Sequence, residues 1–174
     1  TLLSRMAIGF VENNGQVEPG IRYVAKAANY SMGVRENRHT VAIHDADSIR
    51  AVVDMRLLGA NEAPPFEPKQ PFPGRVNYLA GKNRDDWRVG IRTFGALKIG
   101  AVYDGIDLVY RNSPDGKLEY DFVVQPNASA DQIAMTFSGM SSLEVTVEGD
   151  LLLVGESGEM IYQKPTIYQD IEGE

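Results

Sequence analysis

With no cysteine and only two histidines in 174 residues, this chain has carboxylates and aromatic rings as its main chemical material. The missing thiols remove disulfides, thiolate nucleophiles and cysteine-bound zinc together. His39 and His44 are an odd number of positions apart, so on one strand they point to opposite faces and cannot chelate a single metal. Each is expected to be a hydrogen-bonded structural histidine. Glu119 and Asp121 offer more. Two apart on a strand, they share a face at roughly 7 Å, a separation that suits the acid pair of a glycosidase. No Gly-x-Ser-x-Gly elbow, phosphate loop or zinc-protease helix accompanies them. Gly155-Glu156-Ser157-Gly158 lacks the final spacing of the first of these.

Calcium chemistry needs a ring of oxygen ligands. Asp45-Ala46-Asp47-Ser48, Asp85-Asp86 and Asp104-Gly105-Ile106-Asp107 are acidic and loop-like, but none has the central glycine and terminal glutamate of a calcium loop. Aspartate in such places forms turns by bonding nearby amides. The expectation is therefore no metal and no cofactor. For ligand binding the candidates are Trp87, the only tryptophan, with Tyr78 and Tyr103. Aromatic rings of this kind can stack on sugar rings, although a single tryptophan is as readily a partly buried anchor. Asn29-Tyr30-Ser31 and Asn127-Ala128-Ser129 fit the glycosylation sequon, a short pattern that chance often supplies.

The elements that must position these residues are read from periodicity. Leu118, Tyr120, Phe122 and Val124 alternate with mostly polar neighbours, Lys117, Glu119, Asp121 and Val123. So do Ile133, Met135 and Phe137, and then Leu143, Val145 and Val147. This is the pattern of half-buried strands. Stretches 21–27, 40–44, 50–58, 76–79 and 106–112 read the same way. Ser113-Pro114-Asp115-Gly116 predicts a hairpin turn. With a three-residue loop and a bulge, Ser113 meets Lys117, Tyr110 opposes Tyr120, Leu108 opposes Phe122 and Ile106 opposes Val124. Arg111 then opposes Glu119 on the solvent face, a neutral account of the carboxylate pair. Gly149-Asp150 and the stretch 155–158 predict two further hairpins. Single helical turns are expected at 128–132, capped by Asn127 or Ser129, and at 82–88. Stretch 63–74 holds five of the nine prolines and is expected to be an extended surface strap, marking a boundary between two sub-sheets. Phe66 and Phe72 read as anchors back onto the domain.

Together these readings predict one all-β domain over 1–174, an antiparallel β-sandwich built of two sub-sheets. A chain of this length buries a sizeable core without covalent staples. Its formal net charge of −7 argues against nucleic acid or anionic membrane as partner, and no basic patch is readable. No apolar run approaches the ~20 residues that span a bilayer. The chain opens at Thr1 and not at a start Met, an opening equally expected of a leader removed or of one left out upstream.

Several phrases in order carry a resemblance. They are Phe10-Val11-Glu12-Asn13-Asn14-Gly15-Gln16, then Gly74-Arg75-Val76-Asn77-Tyr78-Leu79-Ala80-Gly81 followed by Asp86-Trp87. Next come Tyr103-Asp104-Gly105-Ile106-Asp107-Leu108-Val109-Tyr110 and Leu118-Glu119-Tyr120-Asp121-Phe122-Val123-Val124. The stretch 126–133 continues the series, and Lys164-Pro165 with Tyr168-Gln169 closes it. In this order the chain resembles the N-terminal domain found ahead of SBBP-type β-propeller repeats in large exported bacterial proteins, a domain of unknown function. The resemblance implies an extracellular or cell-surface setting and a multidomain parent continuing after about Glu174. It transfers no catalytic residue. The leading expectation is a non-catalytic structural or interaction module whose partners are neighbouring domains of the parent, a surface protein or carbohydrate. A carbohydrate-binding module using Trp87 and nearby tyrosines is the alternative, and a glycosidase-like enzyme the third.

Overall fold

The computed structural model describes residues 8–45, 48–113, 117–155 and 158–164. These residues form β1 (Phe10–Glu12), β2 (Tyr23–Lys26), β3 (Tyr30–Val34), β4 (Arg38–His44), β5 (Ile49–Leu57), β6 (Phe66–Tyr78) and β7 (Arg88–Tyr103). They continue as β8 (Ile106–Asn112), β9 (Leu118–Val124), β10 (Met135–Ser138), β11 (Ser142–Val145), β12 (Leu151–Gly155) and β13 (Gly158–Tyr162). Helical structure among them is confined to 3₁₀ turns at Arg84–Asp86 and Ala130–Gln132. Both turns fall where single helical turns are expected. The side chains of Asn83 and Ser129 cap them by accepting the amides of Asp85 and Asp131.

The main sheet is antiparallel and runs β10-β5-β4-β3-β2-β1-β7-β8-β9, with β6 paired to β7 off this path. A small second sheet runs β11-β12-β13. The main sheet curls until β8 and β9 face β4. Thus His39 on β4 reaches Tyr110 on β8 and the ring of Tyr120 on β9. The architecture is sandwich-like, as expected from alternation without helix-length apolar stripes. Phe10, Ala25, Val34, Met55, Leu97, Ile106, Leu108 and Tyr110 fill the space between the layers, each at most 2% exposed. Among the described residues no helix is long and apolar enough to cross a membrane.

Strand β7 organises this fold. Phe94 pairs with Phe10 of β1 and also with Pro71 of β6, while three residues on Leu97 pairs with Tyr110 of β8 and Pro68 of β6. β6 therefore lies along one edge of β7, and β1 and β8 lie end to end along the other. Asn112 closes the seam between them. Its amide accepts the Ile8 N–H at 2.9 Å and donates to the carbonyls of Ile8 and Gly95, both at 3.0 Å. The side chain thus stands in for a missing strand residue and satisfies backbone groups that burial would otherwise orphan. The strand also passes under Phe72, whose ring would lie 3.2 Å from a Cβ added at Gly95. Only glycine leaves room there.

The proline-rich stretch is extended, as expected, but it is strand β6 rather than a strap. Nor does it divide two sub-sheets, because both of its flanks belong to the main sheet and the break falls between β10 and β11. The physical reason is that β6 pairs with β7 alone. A strand bonded along one side can hold prolines without losing ladder donors there. Phe66 stacks on Tyr23 with ring centres 5.9 Å apart, so it anchors the strand as expected.

The β8–β9 hairpin has the expected register throughout: Ile106 opposes Val124, Leu108 opposes Phe122, Tyr110 opposes Tyr120 and Arg111 opposes Glu119. Ser113 donates its amide to the Lys117 carbonyl at 2.8 Å. The turn residues Pro114, Asp115 and Gly116 lie outside the described residues, as do Glu156 and Ser157 of the last hairpin and the closing phrase from Pro165 on.

Candidate functional site

The three aromatic ligand candidates do not form one site. Trp87 and Tyr78 lie at the outer end of the β6–β7 hairpin, whereas Tyr103 ends β7 at the other extreme. Tyr103 is buried, and its hydroxyl sits 3.0 Å from the carbonyls of both Leu58 and Ala134, so it fastens β5 and the chain before β10. Tyr78 pairs with Arg88 and shares its face. Trp87, one residue earlier, is the C-cap of the 3₁₀ turn that precedes β7. Each ring is half-buried and carries a cation: Arg84 lies 5.5 Å from the Trp87 ring centre, and Lys26 5.5 Å from that of Tyr78. The Trp87 indole N–H is buried without a partner.

This hairpin arm is held by the phrase at 10–16. Asn13 accepts the Gly15 amide at 2.9 Å and donates to the Ile21 carbonyl at 2.7 Å. Gln16 donates to the Glu12 carbonyl at 2.6 Å and accepts the Asn14 amide at 2.7 Å. The loop so fixed presents the Asn14 carbonyl to Arg88 at 3.0 Å, and Glu12 binds Arg92 through two contacts of 3.0 Å. Arg88 also donates to the carbonyls of Asp85 and Trp87. The polar side chains of the phrase thus serve backbone groups and the arm. A second phrase behaves alike. Asp107 accepts the Ala101 amide at 2.7 Å and binds Lys98 at 2.9 Å. Burial raises the Asp107 carboxyl, but Lys98 and the Ala101 amide hold it below its ordinary value.

The carboxylate pair is shared by one cation. Arg111 reaches Glu119 at 3.1 Å and Asp121 at 2.6 Å. Glu119 is exposed, and neither residue of the pair lines either of two clefts on the molecule. These two clefts lie elsewhere. One, of about 420 Å³, is lined by Gly59, Asn61, Ala101, Tyr103, Asp104 and Gln132. The other, of about 300 Å³, is lined by Glu12, Asn13, Ile21, Arg22 and Tyr23.

The histidines diverge as the odd spacing requires. His44 meets the Ser31 hydroxyl at 2.8 Å on the outer face. This is a nucleophile-and-base contact that reading along the chain misses, because β3 has no clear alternation in Ser31-Met32-Gly33. No carboxylate holds the second ring nitrogen among the described residues, so the third member that orients such a base is lacking. His39 is 2% exposed, and its ring shares a hydrogen bond of 2.8 Å with the Tyr110 hydroxyl and lies 3.4 Å from that of Tyr162. Burial lowers its pKa to about 4, opposed in part by Asp54. Burial also raises Tyr110 well above the ordinary phenol value, with Tyr120 and Tyr162 adding to the effect. Neutral His39 is thus the stable form at neutral pH. Among the described residues no group of three histidine, aspartate or glutamate side chains is placed to hold a metal ion.

A profile for a family described as a domain of unknown function, DUF7948, matches residues 10–174. No curated protein and no solved structure matches the chain.

Proposed function

We propose that this chain, which belongs to the DUF7948 family of domains of unknown function, is a non-catalytic interaction module of an exported, surface-displayed bacterial protein. One observation carries the reading. The side chains whose types promise chemistry are engaged in holding backbone or neutralising one another: Arg111 joins Glu119 to Asp121, His39 is sealed beside Tyr110, and Asn13 and Gln16 fix a loop. What remains exposed is surface suited to contact. Leu79 and Val89 on the arm are 58% and 64% exposed, beside aromatic rings and unpaired cations. Aromatic and arginine side chains of this kind dominate the energetics of interfaces. The extracellular setting and the placement ahead of propeller repeats rest on the ordered phrases, and neighbouring domains of the parent are the natural partners. No cofactor or metal enters this reading.

A carbohydrate-binding module is the second reading, favoured by the half-buried Trp87 under Arg84. Two measurements separate the possibilities. A panel of chromogenic glycosides and esters is expected to show no turnover by the 174-residue chain beyond that of a Glu119→Gln, Asp121→Asn double variant. Turnover that disappears in the double variant establishes an enzyme and ends the module reading. A glycan array with and without calcium is expected to show no saturable neutral-sugar signal. A signal lost in Trp87→Ala selects the carbohydrate module instead.

A further inference from the structure

The charges of this acidic chain are unevenly distributed in space. Between Arg75 and Arg92 the arm carries five basic and two acidic residues, against −7 for the whole chain, which leaves the remainder at −10. Pairing sharpens the contrast. Arg22, Arg35, Arg50, Lys69, Arg92, Lys98 and Arg111 all have carboxylate partners. Arg75, Lys82, Arg84 and Arg88 on the arm, and Lys26 against it, have none among the described residues; outside the arm Arg38, Arg56 and Lys164 also have none, but they are not gathered on one element. The arm is thus a region of uncompensated positive charge that also exposes Leu79, Val89 and part of Trp87.

The small sheet is its counterpart. In antiparallel pairs, opposed residues share a face. Glu144 opposes Leu152, which opposes Ile161, and Ser142 opposes Val154, which opposes Glu159. The other face holds Leu153, fully buried, and Tyr162, which packs on Tyr120 and Phe137. The face bearing Glu144, Leu152, Val154, Glu159 and Ile161 is therefore turned outward. Ile161 is 59% exposed, and neither Glu144 nor Glu159 has a basic partner among the described residues. β11 is also a terminal strand of its sheet. An aliphatic, acidic ribbon with no cover among the described residues is the kind of surface that folded proteins otherwise blunt.

We infer that the outward face of β11–β13 receives the β6–β7 arm of a second copy of this chain, Leu79 and Val89 against Leu152 and Ile161, Lys82 and Arg84 against Glu144 and Glu159. The inference rests on the reading of the chain as an interaction module and names its partner. Both halves of the contact lie on this one chain, which favours a second copy over an acidic polysaccharide or an unrelated protein. Because the two patches differ, the contact is heterologous. It closes as a reciprocal pair where both contacts form at once and otherwise propagates from copy to copy.

Sedimentation velocity on the 174-residue chain, from micromolar to millimolar protein and at low and high salt, tests this directly. The expected result is association that rises with concentration and weakens in salt, as screening of exposed charges requires. Arg84→Glu alone and Glu144→Lys alone are each expected to weaken it by roughly tenfold or more. Both side chains are exposed, and circular dichroism checks that each variant is folded. In a mixture, Arg84 of the Glu144→Lys copy meets Glu144 of the Arg84→Glu copy and the two introduced charges meet each other, so both contacts are matched and a mixed species is expected that neither variant forms alone. A monomer at every concentration overturns the inference. So does association indifferent to salt and to both substitutions, or a mixture that stays apart. Binding of a polyuronate to the arm of a monomeric chain also overturns it. None of these failures supplies turnover, so each leaves the non-catalytic reading to stand or fall on the substrate panel.

Discussion

Titrating His39 should be visible as a loss of stability in mild acid. In the unfolded chain an imidazole takes its proton near 6.5. In the fold, burial withholds that proton down to about pH 4. The unfolded state therefore binds the extra proton throughout the interval between these values, and stability falls as pH falls from 6.5 to 4, then levels off. At about 1.36 kcal/mol per pH decade the loss amounts to about 3 kcal/mol at the acid limit and about 2 kcal/mol at pH 5. For a domain of this size that is a large fraction of the total. The assay is urea unfolding followed by circular dichroism at half-unit steps from pH 4 to 7.5. The acidic residues also titrate near the lower end, so the comparison is with His39→Gln, whose amide still reaches for the Tyr110 hydroxyl. His44 is present in both chains and cancels. The stability difference, wild type minus variant, is expected to shrink by about 3 kcal/mol between pH 7.5 and 4. Parallel curves, or a difference that grows in acid, would show that His39 is not held neutral by the fold.

Three further outcomes follow from the seam and the hairpins. Asn112→Ala leaves the Ile8 amide and the Ile8 and Gly95 carbonyls without their partner, at a cost of about 1–3 kcal/mol, read by urea unfolding. Gly105 has φ +69°, and an added Cβ would lie 2.7 Å from that of Ala128. Gly105→Ala is accordingly expected to lower stability by more than about 1 kcal/mol, and a neutral result would contradict the packing of the 126–129 loop on this turn. In the β8–β9 hairpin, Leu108→Ala is expected to cost about 2–5 kcal/mol and Glu119→Gln less than about 1 kcal/mol. Phe122→Ala should fall between them because Phe122 is only half-buried.

What was legible along the chain was what local chemistry decides. The 106–124 hairpin could be registered residue by residue because both strands alternate cleanly and the turn residues set the offset. The same holds for the cap at Ser129, whereas the cap at Asn83 shows only in the fold. β7 was not legible, although it is the longest strand. Gly90, Gly95 and Gly100 interrupt its alternation, and the reason for Gly95 is a Phe72 ring that reaches it from another strand. Proline misled for a related reason. It forbids a central strand, but whether a strand is central is a fact about neighbours. Of the aromatic candidates, Trp87 and Tyr78 lie on the exposed arm, while the burial of Tyr103 depends on two carbonyls distant in sequence that its hydroxyl meets. The sign of the arm was hidden for the same reason. Scattered basic residues look compensated until salt bridges show which of them have partners.

The seam at Asn112 has a kinetic meaning as well. β1 sits at the start of the chain, yet its place on the sheet is defined by Phe94 and Thr93 on one side and closed by an amide 104 positions beyond Ile8. Contacts this remote are slow to form, since the intervening loop must be closed before they reward it. A chain that emerges N-terminus first can build β1 to β5 early as a meander, each strand pairing with the one before it. The open edge of β1 must wait for β7, and the seam at Ile8 for Asn112. During that interval the edge of β1 at Phe10 and Val11 has no strand beside it, and about a hundred residues must be present before the right one can cover it.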